Sequence, residues 1–283
     1  MDALKGKTII VTGGSRGIGL AIALRFAAAG ANVVVASKDA PATLREAADQ
    51  IAAAGGQALA LDTDVTDYNA LQQAVAQTVD RFGGIDILIN NTSASCFTDT
   101  LHTSPAQFDL AVATSVRAAY FLSQACFLHL QKAANPHIIN ISPPLNIDSH
   151  WFKDHLAFSL SKYAMSFCTL GMAEEFREEG IAVNSLWPQT TIATQTIVDH
   201  FSPKVYAGSR LPLIMGDAAY ELASRDCTGQ FYTDEALLRE AGVDDFSHYA
   251  VDPEATLMQA LFITQEADRL PVSQDLFLIN SRK

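Results

Sequence analysis

Short apolar runs alternate along this chain with longer segments of mixed apolar and polar residues. The first two runs, at 8–11 and 32–36, are rich in β-branched residues and carry no charge. Such runs are typical of strands that are buried on both faces of a parallel sheet. The segments that follow, at 20–29 and 41–54, place apolar residues at helical spacing. This alternation predicts an α/β fold.

The same pattern continues to about residue 233. It predicts further strands at 58–63, 85–91, 137–142, 181–187 and 229–233, which makes seven with the first two. It predicts further helices at 66–82, 105–132 and 158–178. From residue 242 onward the pattern is irregular.

A glycine-rich turn, TGGSRGIG at 12–19, joins the first strand to the first helix. Glycine permits positive φ and lets a phosphate approach the backbone closely. The helix that follows offers free N–H groups and the positive end of its dipole. We therefore predict a nucleotide site here. Its predicted phosphate-facing residues are Gly13, Ser15, Arg16, Gly17, Ile18 and Gly19.

The sequence of this turn resembles that of the corresponding turn in the short-chain dehydrogenase/reductase family. Three later stretches, NISPPLN at 140–146, GMAEEF at 171–176 and IAVNSLWP at 181–188, narrow the resemblance. They are similar to the hydroxysteroid dehydrogenase-like and citronellol dehydrogenase subgroup, NAD(P)-linked oxidoreductases of alcohols and carbonyls on apolar chains. The resemblance implies one Rossmann-type, doubly wound, mostly parallel sheet over residues 1–241. Residues 242–283 are expected to pack on this domain or on a partner subunit.

The residues after the second strand bear on the choice of cofactor. Ser37 and Lys38, together with Arg16, suit a ribose 2′-phosphate and favour NADP. Asp39 keeps NAD possible, because an acidic side chain there accepts from a free 2′-hydroxyl. The resemblance implies further cofactor contacts at Asp64, Val65, Asn91, Lys162, Pro188, Ile192 and Thr194. Thr92, Ser93 and Gln189 depart from the small residues that the family usually carries at these positions.

The central catalytic motif of the family is Tyr-x-x-x-Lys, whose spacing places both side chains on one helix face. Lys162 is present here, but Phe158 stands four residues before it. Tyr163 points about 100° away around the helix and does not replace the missing phenol. Loss of a general acid–base group costs about 10²–10⁴-fold in rate. Ordinary alcohol–ketone turnover is therefore expected to be impaired.

Other candidate catalytic groups follow from the resemblance. Ser115 aligns with the asparagine that holds a water in the proton relay. Ser142 lies near the catalytic serine position, although strict alignment places that position on Pro143. His155 is a candidate acid or base. With Trp151 and Phe152 it is expected to face the substrate from the loop 145–155, while residues 195–209 are expected to form a mobile substrate lid.

Three interpretations of Phe158 remain open. It is an engineered change that silences an alcohol dehydrogenase, or a natural divergence, or the mark of a cofactor-binding pseudoenzyme. The other departures, at Thr92, Ser93 and Ser115, favour divergence. A divergent site could add hydride to an iminium or an activated C=C bond. It could also run a non-redox isomerisation, cyclisation or elimination.

Composition limits the class of protein further. The net charge of −12 argues against a nucleic-acid surface, and no apolar run is long enough to span a membrane. The four cysteines are scattered, which fits reduced thiols in a cytoplasmic protein. The histidines lack zinc-ligand spacing, so no metal is expected. Surplus apolar surface on the helix predicted at 158–178 indicates a homodimer or homotetramer that acts on a small-molecule substrate.

Overall fold

The computed structural model describes residues 4–263 of the chain. The strands in this range are β1 (Thr8–Thr12), β2 (Asn32–Ser37), β3 (Gln57–Asp62), β4 (Ile87–Asn90), β5 (His137–Ile141), β6 (Ala182–Trp187) and β7 (Phe231–Thr233). They form one sheet in the order β3-β2-β1-β4-β5-β6-β7, and all neighbouring pairs are parallel. The predicted Rossmann-type doubly wound sheet of seven strands is confirmed.

Helices cover both faces of this sheet. They are α1 (Gly17–Ala28), α2 (Pro41–Ala53), α3 (Tyr68–Phe82), α4 (Pro105–Val112), α5 (Ala118–Leu130), α6 (Leu156–Glu175), α7 (Gln195–His200), α8 (Pro203–Ala207), α9 (Leu213–Ala223) and α10 (Asp234–Glu240). None of the helices within residues 4–263 combines the length and apolarity needed to cross a bilayer.

The β-branched runs lack alternation because each strand buries both of its faces. In β1, Ile9 and Val11 join one apolar cluster, while Ile10 joins the cluster on the opposite face of the sheet. Successive side chains of a strand point to opposite faces, so a strand between two helix layers needs apolar residues at every position.

The helix predicted at 105–132 is interrupted. A π-helical segment, Ala113–Arg117, separates α4 from α5. Such bulges insert one residue into the helical hydrogen-bond ladder and are frequent near functional sites. Periodicity did not indicate this interruption, because a π turn changes the helical spacing over only a few residues.

Part of the expected C-terminal extension belongs to the described range and packs on the sheet domain. Phe246, Tyr249 and Phe262 are buried in the same apolar cluster as β1 and α1. Residues 264–283 lie outside the described residues, so the division of the chain at residue 241 stays a prediction.

Candidate cofactor and active site

A cavity of about 600 Å³ opens at the carboxyl ends of the central strands. Gly13, Asn91, Ile141 and Pro188, which end or follow β1, β4, β5 and β6, all line it. The order of the strands reverses between β1 and β4. In open α/β sheets, the crevice at such a switch point is where ligands bind.

One end of the cavity is formed by the glycine turn. Gly13 and Gly17 adopt φ values of 62° and 56°, in a region of backbone conformation that residues with a side chain rarely adopt. A Cβ atom on Gly19 would lie 2.2 Å from the Gly13 carbonyl oxygen. Within residues 4–263, no side chain caps the amino end of α1, so its first N–H groups remain available for an anion.

The structure brings together nearly all of the predicted cofactor residues. Those that line the cavity are Gly13, Ser15, Arg16, Gly17, Ile18, Ser37, Lys38, Asp64, Val65, Asn91, Lys162, Pro188, Ile192 and Thr194. Gly19 does not line it. It lies beneath the turn instead, where only hydrogen fits against the Gly13 carbonyl.

Two ion pairs lie beside the end of β2. Lys38 Nζ is 2.7 Å from Asp64 Oδ2, and this hydrogen bond lowers the pKa of Asp64 to about 2. Asp39 accepts from the Ser15 hydroxyl at 2.5 Å and lies 3.7 Å from Arg16. Both carboxylates and both cations are therefore already paired within the protein.

Two hydroxyl groups on the cavity wall fit a polar ligand. Ser37 Oγ and Thr92 Oγ1 are buried and have no hydrogen-bond partner among the described residues. Both residues line the cavity. Buried polar groups normally have a hydrogen-bond partner, so a sugar or phosphate oxygen at this wall would supply the partner that these two hydroxyls lack.

The other end of the cavity, which we call the inner end, contains Lys162 and Phe158. Lys162 Nζ donates to the Ile141 carbonyl oxygen at 2.9 Å, and burial lowers the pKa of this lysine to about 7. The Phe158 ring packs 4.8 Å from that of Phe97. Tyr163 does not line the cavity, and its hydroxyl donates to the Asn146 carbonyl oxygen. The Tyr163 phenol thus points away from the cavity, as its position next to Lys162 in the helix predicts.

Neither candidate serine lines the cavity. Ser142 is fully buried, and its hydroxyl is 2.7 Å from that of Ser185, which in turn is 2.8 Å from Thr169 Oγ1. These hydroxyls link β5, β6 and α6 in the interior. Ser115 is buried in the π-helical segment, and its neighbour Thr114 reaches the cavity instead.

The loop 145–155 does not bring its three expected side chains to the cavity either. Trp151 and His155 are fully buried, and Phe152 stacks on Tyr163 with ring centroids 5.1 Å apart. His155 Nδ1 is 2.9 Å from Ser159 Oγ, and burial lowers the pKa of this histidine to about 4. The loop contains a 3₁₀ turn, Ser149–Phe152, and packs against the Phe262 ring. The His155 ring also lies edge-on to the rings of Phe97 and Phe158, behind the cavity wall.

Several lining residues were not predicted. Phe97, Trp187 and Leu261 line the inner end, as do Ile197 and Phe201 from the segment expected to be a lid, and Leu110 also lines the cavity. Leu261 is about a hundred positions from Phe158, and no local pattern marks such a contact.

Sequence reasoning also missed a buried carboxyl group below this wall. Asp234 accepts from the Gln189 N–H at 2.7 Å, and burial raises the pKa of this carboxyl to about 7. Asp234 thus holds the segment that follows β6, which supplies Pro188 and Ile192 to the cavity.

A parallel α/β sheet with an uncapped helix and a glycine cradle at its switch point defines a dinucleotide-binding domain. The family model described as short chain dehydrogenase matches residues 7–202. The chain belongs to the short-chain dehydrogenase family.

Individual relatives agree with this assignment. Hydroxysteroid dehydrogenase-like protein 2 of Danio rerio is 47% identical over 275 residues, which cover 94% of this chain. The chain spans 66% of that relative's length, just under two thirds.

Solved structures give the same result. A short chain dehydrogenase of Mycobacterium thermoresistibile has a TM-score of 0.86 and 42% identity, covering 93% of this chain and 97% of the other. A short chain dehydrogenase of Burkholderia cenocepacia, solved in complex with NADP, has a TM-score of 0.74 and 27% identity, covering 81% and 96%.

Proposed function

We propose that this chain is an NAD(P)-dependent oxidoreductase that acts on a small apolar or cyclic substrate without a tyrosine acid–base group. One observation carries the proposal: a single cavity joins the glycine cradle at α1 to an apolar inner end that contains Lys162. A nicotinamide dinucleotide bound there would supply or accept a hydride.

Each part of the dinucleotide has residues that would hold it. The pyrophosphate would lie against Gly13 and the amino end of α1, and the adenosine against Ser37, Asp64 and Val65. The nicotinamide half would lie against Asn91, Lys162, Pro188, Ile192 and Thr194. All of these residues line the cavity.

Titration of the full chain with NADPH and NADH, followed by nicotinamide fluorescence and calorimetry, tests this proposal. We expect saturable binding of at least one coenzyme. Failure of both to bind would refute the proposal.

We propose NADP as the preferred coenzyme. Arg16 and Lys38 both line the wall beside Ser37, where a 2′-phosphate could replace their present carboxylate partners. The relative from Burkholderia cenocepacia binds NADP, which agrees with this choice. Lys38→Ala should weaken NADPH binding about tenfold or more, since charge-assisted phosphate contacts are strong, and leave NADH binding nearly unchanged. Tighter binding of NADH by the unmodified chain would contradict the preference.

Phe158 restricts the reactions that this site can catalyse. Its ring faces the cavity but carries no exchangeable proton, and Lys162 is held by a main-chain carbonyl. Substrates whose reduction demands little proton delivery, such as an iminium or an activated C=C bond, therefore suit this site better than a simple ketone.

The same feature supports a second candidate function, a non-redox enzyme or a cofactor-binding pseudoenzyme. Phe158 packs among aromatic rings, and His155 lies outside the cavity lining. Absorbance at the reduced-nicotinamide band, followed with a panel of ketones, imines and enones, separates the candidates. A chain that binds coenzyme but changes this absorbance with none of them would favour the second.

We also propose a homodimer or homotetramer. Leu160, Phe167 and Leu170 on α6 expose 45%, 57% and 44% of their surface, which is costly for large apolar side chains unless a partner covers them. Light scattering should give a multiple of the chain mass, and Phe167→Glu should lower it. A monomeric unmodified chain would contradict this proposal.

A further inference from the structure

Part of the wall of the inner end comes from a segment far along the chain. Ala260 and Leu261 line the same cavity as Phe158 and Lys162. The match to the family model ends at residue 202, so this wall lies outside the matched region.

Hydrogen bonds join this segment, residues 258–263, to the end of β6 and to the loop that follows it, which also supply residues to the cavity wall. The Thr191 N–H donates to the Met258 carbonyl oxygen at 2.8 Å, and the Ala260 N–H donates to that of Gln189 at 3.1 Å. Trp187 Nε1 donates to the Leu261 carbonyl oxygen at 2.8 Å. Leu261 is thus held in place by the segment that also supplies Ile192 and Thr194.

Phe262 anchors the segment from behind. Its side chain is fully buried, and its backbone has a φ of 69°, a value that residues other than glycine rarely adopt. Its ring stacks on Phe158 at 6.2 Å and lies 5.9 Å from Trp187. A strained backbone persists only where its surroundings enforce it. Here the ring fills the space behind Phe158, so Leu261 must face the cavity.

The inner end around Leu261 is apolar. Phe97, Phe158, Ile197 and Phe201 line it, and among the described residues Lys162 is the only ionisable side chain on its wall. A hydrocarbon portion of a substrate would therefore be buried there, and its length would be limited by the residue that closes the wall.

We propose that Leu261 is a specificity-determining residue, which sets how long an apolar chain the cavity accepts, and that Phe262 positions it. The substrate class is an uncharged compound with an activated C=C bond, such as an enone, that carries an unbranched or cyclic hydrocarbon. This inference rests on the proposed function for the identity of the reacting group, but not for the apolar pocket itself.

Calorimetric titration of the full chain with 1-alkanols from butanol to decanol tests the proposal without requiring turnover. Affinity should rise about fourfold for each added methylene until the chain reaches the wall, and then level off. In Leu261→Ala, the alkanol length at which affinity stops rising, which we call the levelling length, should increase by one to three carbons. In Leu261→Phe it should decrease. Leu238→Ala is the matched control: Leu238 is equally buried but lies on α10 and does not line the cavity, so the levelling length should not change.

An unchanged levelling length in both Leu261 variants would overturn the proposal, as would an unmodified chain that binds none of the alkanols. If Leu261→Ala fails to fold, the shift in Leu261→Phe decides the question alone. NADPH titration of the same proteins keeps the two proposals apart. A shifted levelling length without coenzyme binding would refute the proposed function and leave the role of Leu261 standing.

Discussion

Phe158→Tyr would place a hydroxyl at the tip of a ring that lines the cavity one helical turn before Lys162. The ring is 6% exposed and packs against Phe97 and Phe262. The substitution keeps the ring and adds one oxygen atom to it. Residues four apart on a helix lie on the same face, so the hydroxyl and the ammonium group would both border the substrate space.

The size of the effect follows from the chemistry restored. A positioned acid–base group contributes about 10²–10⁴-fold, or about 3–5 kcal/mol of the activation free energy. The nearby cation would also lower the pKa of the new phenol from its ordinary value near 10. We therefore expect alcohol oxidation and ketone reduction to rise by about two to four orders of magnitude in kcat, with a new inflection in the pH–rate profile.

The assay is the rate of absorbance change at the reduced-nicotinamide band with a series of aliphatic and cyclic alcohols. Phe158→Leu is the control that removes the ring without adding a hydroxyl, and it should show no gain. Lys162→Met in the Phe158→Tyr background should abolish most of the gain. A rise of less than about tenfold, with coenzyme binding intact, would refute this reasoning. It would mean that the site has diverged beyond the single missing oxygen.

Three further predictions concern the fold beneath the site. Gly19→Ala should abolish measurable NADPH binding by calorimetry, because its Cβ would lie 2.2 Å from a carbonyl oxygen of the glycine turn. Gly84→Ala, where no atom of the described residues lies within 4 Å of the added atom, should bind normally, and equal binding by both variants would contradict the close packing. Burial lowers the pKa of Lys162 from 10.5 to about 7, so the unfolded chain binds more protons between these values. The stability of the coenzyme-free protein should then rise with pH above 7. Urea unfolding from pH 7 to 9 should give a shallower rise for Lys162→Met, and an identical slope would count against the buried amine. Phe262→Ala should lose about 3–5 kcal/mol of unfolding free energy, while Phe167→Ala, 57% exposed, should lose far less in the same denaturant titration.

The cofactor end of the site was predictable because its signals are local. Gly13, Gly17 and Arg16 lie within one strand–turn–helix unit, whose geometry depends on glycine conformations and a helix end. Ser37 is the last residue of β2 and Asp64 lies two residues after β3, and parallel strands bring their carboxyl ends to one edge of the sheet. A pattern over a few residues is enough to place groups of this kind.

The inner end was less predictable because side-chain direction there depends on how the buried groups pack in the folded chain. Ser142 and His155 have the right chemistry and the right neighbours in sequence, yet buried partners, Ser185 and Ser159, hold them away from the cavity. Phe97 and Leu261, which carry no recognisable motif, reach the cavity.

The sequence by itself determined the seven-stranded parallel sheet, the glycine turn before α1 and the pairing of Phe158 with Lys162 on one helix face. Each of these depends on periodicity or backbone conformation over short stretches. Only the tertiary structure decided which hydroxyls were buried in the interior and which part of the C-terminal region closed the cavity. Those outcomes depend on contacts between residues tens to hundreds of positions apart, which chain folding creates and local patterns do not encode.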